Sequence, residues 1–277
     1  MLAIATAASL ADTVLTPARA ATLGAVQGLT EFLPVSSSAH LFIVPTLLGW
    51  RYSGVAFDVA LHGGTLLALL LAFWRDWLYL LRRALGGSDA ATARRMWVWL
   101  VVATIPGAVA GKLLEEAADT KLRSLPLQAA MLFAFGLLLW GVDRLAGRGR
   151  DEHNRPGWGL AALMGCAQAL ALIPGVSRSG VTITAGRAGG ASRVSSARLS
   201  FMMATPITFG AVLLKARHMP HAVAPGTLAI GVAVSAIVGM FAIRGLMRFL
   251  RHAGLGVFFV YRAAIAALLV AYVLLHH

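Results

Sequence analysis

Long apolar runs alternate with short polar connections along the chain, and most of the runs have the length of a membrane crossing. Segments of about 59–81, 96–114, 127–142, 199–216, 226–243 and 256–275 each read as an unbroken apolar helix. A hydrocarbon core needs roughly twenty such residues to be spanned. Two further apolar segments, about 21–49 and 158–186, are interrupted in the middle. The first interruption is Phe32-Leu33-Pro34-Val35-Ser36-Ser37-Ser38 and the second is Ile173-Pro174-Gly175-Val176-Ser177-Arg178-Ser179-Gly180. Proline removes a backbone donor and ends a helix. Inside a bilayer such a break survives only where protein or water satisfies the freed backbone groups. The pattern predicts an all-α integral membrane protein, a multi-pass helical bundle forming a single membrane domain over residues 1–277, with two re-entrant segments.

The two interrupted segments resemble each other. Gln27 and Gln168 open them 141 residues apart, and Val35-Ser36-Ser37-Ser38-Ala39 aligns with Val176-Ser177-Arg178-Ser179-Gly180. An internal duplication accounts for this, with one repeat over about 1–143 and the other over about 144–277.

Loop charge orients the repeats. Arg82, Arg83, Arg94 and Arg95 in loop 82–95, Arg144, Arg148, Arg150 and Arg155 in loop 143–157, and Arg244, Arg248 and Arg251 in loop 244–251 mark cytoplasmic connections. Loop 115–126, with Glu115, Glu116 and Asp119 against Lys121 and Arg123, has no basic excess and belongs outside. The first break then dips in from the outer face and the second from the cytoplasm, which makes the repeats inverted and lets their tips meet near the midplane. Lys215 and Arg217 fall on the outer side and fit this topology least well.

Composition sharpens the class. Only 13% of the 277 residues are charged and 58% are hydrophobic, whereas a soluble domain carries about 25% charged residues. The net charge of +13 comes from short loops and not from a basic stripe with interleaved aromatics, so it points to an anionic leaflet and away from nucleic acid. Cys166, the single cysteine, forms no intrachain disulfide and is read as packing within an apolar run. Residues 1–20 end in Ala18-Arg19-Ala20, which imitates a signal-peptide cleavage site, but they lack a basic start and Asp12 interrupts the apolar run. A membrane-embedded or interfacial first helix is the expectation.

Ionisable groups in apolar segments are costly and therefore mark functional sites. Glu31 and His40 flank the first break and Arg178 lies in the second. Gln27 and Glu31, four apart, share a helical face just before Pro34; a hydrogen bond between helices is the plainer reading of that pair. Ser36, Ser37 and Ser38 suit the N-terminus of the following helix, where free amides favour an anion, although capping alone would also explain them. His40 lies about one turn further on. In the second break Ser177 and Ser179 surround Arg178, with Thr182 one turn on and Gly175 and Gly180 permitting close backbone approach. Arginine's planar fork suits phosphate, and an internal Arg178–Glu31 ion pair is the alternative. Together these groups describe a site for an anion of several oxygens.

The stretches QGLTEFLPVSSSAH at 27–40 and PGVSRSGVT at 174–182 resemble the two signature motifs of the bacterial undecaprenyl-diphosphatase, or bacitracin-resistance, family. The resemblance extends to His62-Gly63-Gly64-Thr65 and Leu199-Ser200-Phe201 and covers essentially the whole chain. It implies a multi-pass hydrolase of the bacterial plasma (inner) membrane, with its site opening to the outer, periplasmic face. Such an enzyme removes one phosphate from undecaprenyl diphosphate and returns the carrier lipid to peptidoglycan synthesis. It also implies a divalent cation, Mg2+ or Ca2+.

Carried onto this chain, the motifs put the metal at Glu31 and Gln27, the diphosphate on Ser36, Ser177, Arg178, Ser179 and Thr182, and the chemistry on Glu31, Ser37, His40 and Arg178. Many relatives have a second glutamate where this chain has Gln27, a poorer ligand for a hard cation, so Glu31 has to carry more of the metal binding. The expected nucleophile is the Ser37 hydroxyl, with His40 or Glu31 taking its proton; direct attack by water is the other route. The expected partners are the polyprenyl diphosphate and membrane lipid, with a homodimer left open. An inverted-repeat transporter or lipid flippase is the rival function, because broken helices at the midplane serve transport as well.

Overall fold

Thr16 accepts a hydrogen bond from the Arg19 amide at 3.2 Å and Pro17 takes the first helical position, so helix α1 (Pro17–Phe32) begins there. The computed structural model describes residues 15–51, 53–119, 122, 124–151, 156–215 and 223–276. The expectation of a helix in the first twenty residues falls mostly outside that range, and Ala18-Arg19-Ala20 lies in the first turn of α1.

Ten further helices follow among the described residues: α2 (Ser37–Leu47), α3 (Val55–Ala72), α4 (Trp74–Leu85), α5 (Ala90–Asp119), α6 (Leu125–Leu145), α7 (Trp158–Leu170), α8 (Arg178–Ala188), α9 (Arg193–Lys215), α10 (Pro225–Phe249) and α11 (Gly256–His276). An isolated bridge between Arg150 and Ala191 is the β-type pairing found among them. Six helices, α3, α5, α6, α9, α10 and α11, are long and apolar enough to cross a membrane. Large apolar side chains on their outer faces are exposed, including Phe241 at 68% and Leu214 at 75%, which a lipid environment accommodates and water would not. The chain is an all-α multi-pass membrane protein.

Two expectations need correction. The apolar run 59–81 is not one helix: the chain breaks at Phe73, and α4 runs on as a separate amphipathic helix. Arg75 and Asp76 open α4 just past the end of the α3 span, and Asp76 pairs with Arg198 of α9. Cys166 is exposed on α7, on a face that the bundle leaves uncovered, and so does not serve core packing.

Close packing depends on small residues. Helix α10 lies against both α1 and α3, and a Cβ placed on Gly24 would run into the carbonyl of Gly231, while one on Gly28 would lie 2.6 Å from the Ser235 carbonyl. Helices in lipid gain little from apolar burial and associate through such backbone contact and through hydrogen bonds like that from Ser235 Oγ to the Leu61 carbonyl at 2.9 Å. At one end of the bundle, buried Asp143 of α6 accepts from Arg187 Nε at 2.9 Å, Arg193 Nε at 2.8 Å and the Leu255 amide at 3.0 Å, which ties α8, α9 and the start of α11 together.

Gly24→Ala should therefore lower thermal stability in detergent by about 1–3 kcal/mol, as overpacking does. Gly141→Ala, where the added methyl meets nothing within 4 Å, should leave stability unchanged or raise it slightly.

Candidate active site

Both interruptions turn the chain in the same way. Ser36 and Ser177 are the non-glycine residues with positive φ among those described, at 77° and 73°. L-residues adopt this region only when their surroundings over-determine it. Each serine occupies the N-cap position of the helix that follows, α2 and α8. Ser177 Oγ caps its own helix by accepting from the Gly180 amide at 3.1 Å. Ser36 Oγ makes no such cap and instead accepts from the Gly175 amide of the other break at 3.2 Å. Ser179 Oγ returns the contact by donating to the Leu33 carbonyl at 3.0 Å. The tips of the two interruptions thus meet inside the bundle.

A third element holds them there. Arg262 of α11 is fully buried and has no acidic partner among the described residues; its guanidinium donates to carbonyls instead. The acceptors are Pro34 (3.1 Å), Val176 (3.2 Å) and Gly175 (2.8 Å) in the two breaks, and Met131 (3.2 Å) and Leu132 (2.9 Å) of α6. The sequence reading missed Arg262, although the signal that selected Glu31 and Arg178, a charge within an apolar run, applies to it equally.

Glu31, near the C-terminal end of α1, is where the two breaks join chemically. Its Oε1 accepts from Arg178 Nη2 at 2.5 Å, so the internal ion pair exists. Its Oε2 accepts from the Ser37 hydroxyl at 2.5 Å and from Gln27 Nε2 at 3.2 Å. His62 Nε2 of α3 stands 3.5 Å from the same oxygen, while its Nδ1 bonds the Asp58 carbonyl at 2.7 Å. His62 is a second residue that the sequence reading left without a role.

These groups border a cavity of about 230 Å³. Its polar wall is Glu31, Ser36, Ser37, Ser38, His62, Ser177 and Arg178. Gly107, Gln168, Ala171, Leu172, Ile207, Thr208 and Ala211 complete it, and most of these are apolar. The remaining predicted site residues lie elsewhere. His40 is not part of the cavity wall: its Nδ1 bonds the Ser36 carbonyl at 2.7 Å and its Nε2 bonds the Tyr261 hydroxyl at 2.8 Å. Thr182 is also off the wall; it donates back to the Arg178 carbonyl at 2.7 Å and contacts Ser200 Oγ at 2.7 Å. Ser179, committed to Leu33, is a contact between the breaks.

No group of three His, Cys, Asp or Glu side chains among the described residues forms a metal cluster. The donor on the cavity wall is the Glu31 carboxylate; Gln27, off the wall, has a partnerless Oε1 but turns its N–H toward Glu31, so it would join Glu31 on a cation with its amide reversed. That set fits a hard cation whose other ligands are phosphate oxygens and water, the usual arrangement for Mg2+ at a substrate phosphate.

The family model described as "Bacitracin resistance protein BacA" matches residues 20–268. The chain belongs to this family. Among curated relatives, an undecaprenyl-diphosphatase of Pelotomaculum thermopropionicum is 45% identical over 257 residues, covering 91% of this chain and 96% of its own. The undecaprenyl-diphosphatases of Moorella thermoacetica, 46% identical over 258 residues (93% and 98% covered), and Trichlorobacter lovleyi, 47% over 253 residues (88% and 93% covered), are similarly close. The BacA-family match spans both breaks and the first part of α11, including Arg262.

Removing Arg262 takes the donor from the Pro34, Gly175 and Val176 carbonyls of the two breaks, which have no helical amide to replace it. Arg262→Met should cost at least about 3 kcal/mol in detergent. Arg262→Lys, with three donors in place of a fork, should recover only part of that loss in the same thermal scans.

Proposed function

We propose that this chain is an undecaprenyl-diphosphatase: it hydrolyses the lipid diphosphate to the monophosphate and inorganic phosphate, returning the carrier to peptidoglycan synthesis and giving resistance to bacitracin. The observation that carries the chemistry is the Ser37–Glu31–Arg178 constellation, in which one carboxylate holds a hydroxyl and a guanidinium on its two oxygens, both 2.5 Å away.

In this reading Arg178, with Ser177 and Ser36 beside it, takes the diphosphate, trading part of its contact with Glu31 for phosphoryl oxygens. Ser37 Oγ attacks the terminal phosphorus while Glu31 Oε2 accepts its proton. The new Oγ–P bond replaces the bond to the bridging oxygen, which leaves with the lipid monophosphate. Water then attacks the phosphoserine, releases inorganic phosphate and restores the hydroxyl. The short Ser37–Glu31 contact favours this route over direct attack by water, and Glu31 over His40 as the base, because both ring nitrogens of His40 are bonded elsewhere. His62 Nε2 faces the same carboxylate oxygen from α3.

A bound Mg2+ or Ca2+, held by Glu31 and Gln27 Oε1, would supply neutralisation of charge on the diphosphate. The apolar wall at Leu172, Ile207 and Ala211 suits the first isoprene units of a lipid that cannot leave the bilayer. Three spans, α3, α5 and α6, separate the two interruptions, an odd number consistent with inverted repeats. With the basic loops inside, the reading places the protein in the bacterial inner membrane with the cavity opening to the periplasmic face.

Phosphate release from undecaprenyl diphosphate by purified protein tests this. Wild type should release phosphate with Mg2+ or Ca2+ and not with chelator; Ser37→Ala, Glu31→Gln and Arg178→Ala should each lose about 100-fold or more in turnover. Near-normal turnover by Ser37→Ala would remove the covalent route. Lipid binding by wild type without any phosphate release would favour the flippase.

A further inference from the structure

Gln168 lies on α7 in the position that Gln27 holds on α1, 141 residues earlier. Gln27 spends its amide N–H on Glu31 one turn later. The residue one turn after Gln168 is Leu172, which has nothing to accept a hydrogen bond. Gln168 is 3% exposed, and neither its Nε2 nor its Oε1 has a hydrogen-bond partner. Yet the residue forms part of the cavity wall, in company with Glu31 and Arg178. Gly107 of α5 makes room for it: a Cβ there would lie 3.0 Å from Nε2. A buried amide left unpaired costs stability, and an apolar side chain of the same shape would not. A chain that holds such an amide at the wall of a cavity of about 230 Å³ uses it on something that enters.

We infer that Gln168 is a substrate-binding residue whose amide N–H groups donate to phosphoryl oxygens of the lipid diphosphate when it occupies the cavity. The inference rests on the diphosphatase reading for the identity of the ligand. An uncharged donor suits this position because it adds specificity for phosphoryl oxygen without adding a second cation to the Glu31–Arg178 pair. Met is the replacement of choice for a test, being close in volume, unbranched and without donors.

Wild type and Gln168→Met should be compared in detergent by thermal unfolding with and without undecaprenyl diphosphate, and by the concentration dependence of phosphate release. Without lipid, the Tm of Gln168→Met should equal or exceed that of wild type. With lipid, the upward Tm shift seen for wild type should shrink in the variant. KM should rise roughly tenfold or more, as the loss of a hydrogen bond to a charged acceptor predicts, with a smaller change in kcat. A lowered Tm without lipid would show that the amide has a structural partner and would overturn the inference. An unchanged KM and an unchanged lipid-induced shift would overturn it as well. If wild type releases no phosphate, the hydrolase reading falls, and the lipid-induced shift alone then decides whether Gln168 binds the head group; no shift in either protein overturns the inference.

Discussion

Helices that stop partway through an apolar slab leave amides and carbonyls with no water to meet them, and each must find a partner within the protein. The architecture around the cavity answers that constraint. Arg262 donates to carbonyls in both interruptions and to α6 behind them. Ser36 meets the Gly175 amide and Ser179 meets the Leu33 carbonyl, so each break satisfies part of the other. A guanidinium suits this task because its donors lie in one rigid plane and fan out to several acceptors at once. Its charge is spread over carbonyl dipoles in place of a carboxylate, which leaves Glu31 free to face the cavity.

With the breaks held, the chemistry follows from which side chains they present. Matched positions 141 residues apart place Ser37 in the first break and Arg178 in the second, one after each positive-φ serine. The same backbone turn therefore aims a hydroxyl from one side and a guanidinium from the other, and both reach Glu31. The strain at Ser36 and Ser177 is sustained by neighbours that would otherwise be unsatisfied, including His40, which bonds the Ser36 carbonyl and is itself held by Tyr261. His40 thus acts on the site through the backbone that orients Ser37.

Much of this was legible in the sequence, for physical reasons that also explain the gaps. Apolar run length identified the spans, and Pro34 and Pro174 with their serines marked both breaks, because proline and an absent donor are local facts. The 59–81 run reads as one helix because its mean hydropathy hides Arg75 and Asp76, which open a second, amphipathic helix beyond the end of the span. Arg262, and a role for His62, are not visible from the breaks themselves, because the residues that complete a site come from helices far away in sequence. Thr182 and His40 have the right residue types beside the right motifs, but helical geometry turns them toward Ser200 and Tyr261. Spacing alone does not say which side of a helix faces a cavity formed by other helices.

The two interruptions are alike in backbone and unlike in the residues that matter for reaction, and that difference carries the function. Where the first has Gln27 followed one turn later by Glu31, the second has Gln168 followed by Leu172. A second carboxylate at 172 would stand in the same cavity as Glu31 and repel both it and a diphosphate. Leucine there instead gives the cavity an apolar wall, which a polyprenyl chain requires and a purely polar site would lack. In the proposed mechanism one break supplies the nucleophile and its base, the other the cation and the greasy surface. A symmetric pair of either kind would hold the head group without activating it, or activate a hydroxyl with nothing to hold the lipid against it.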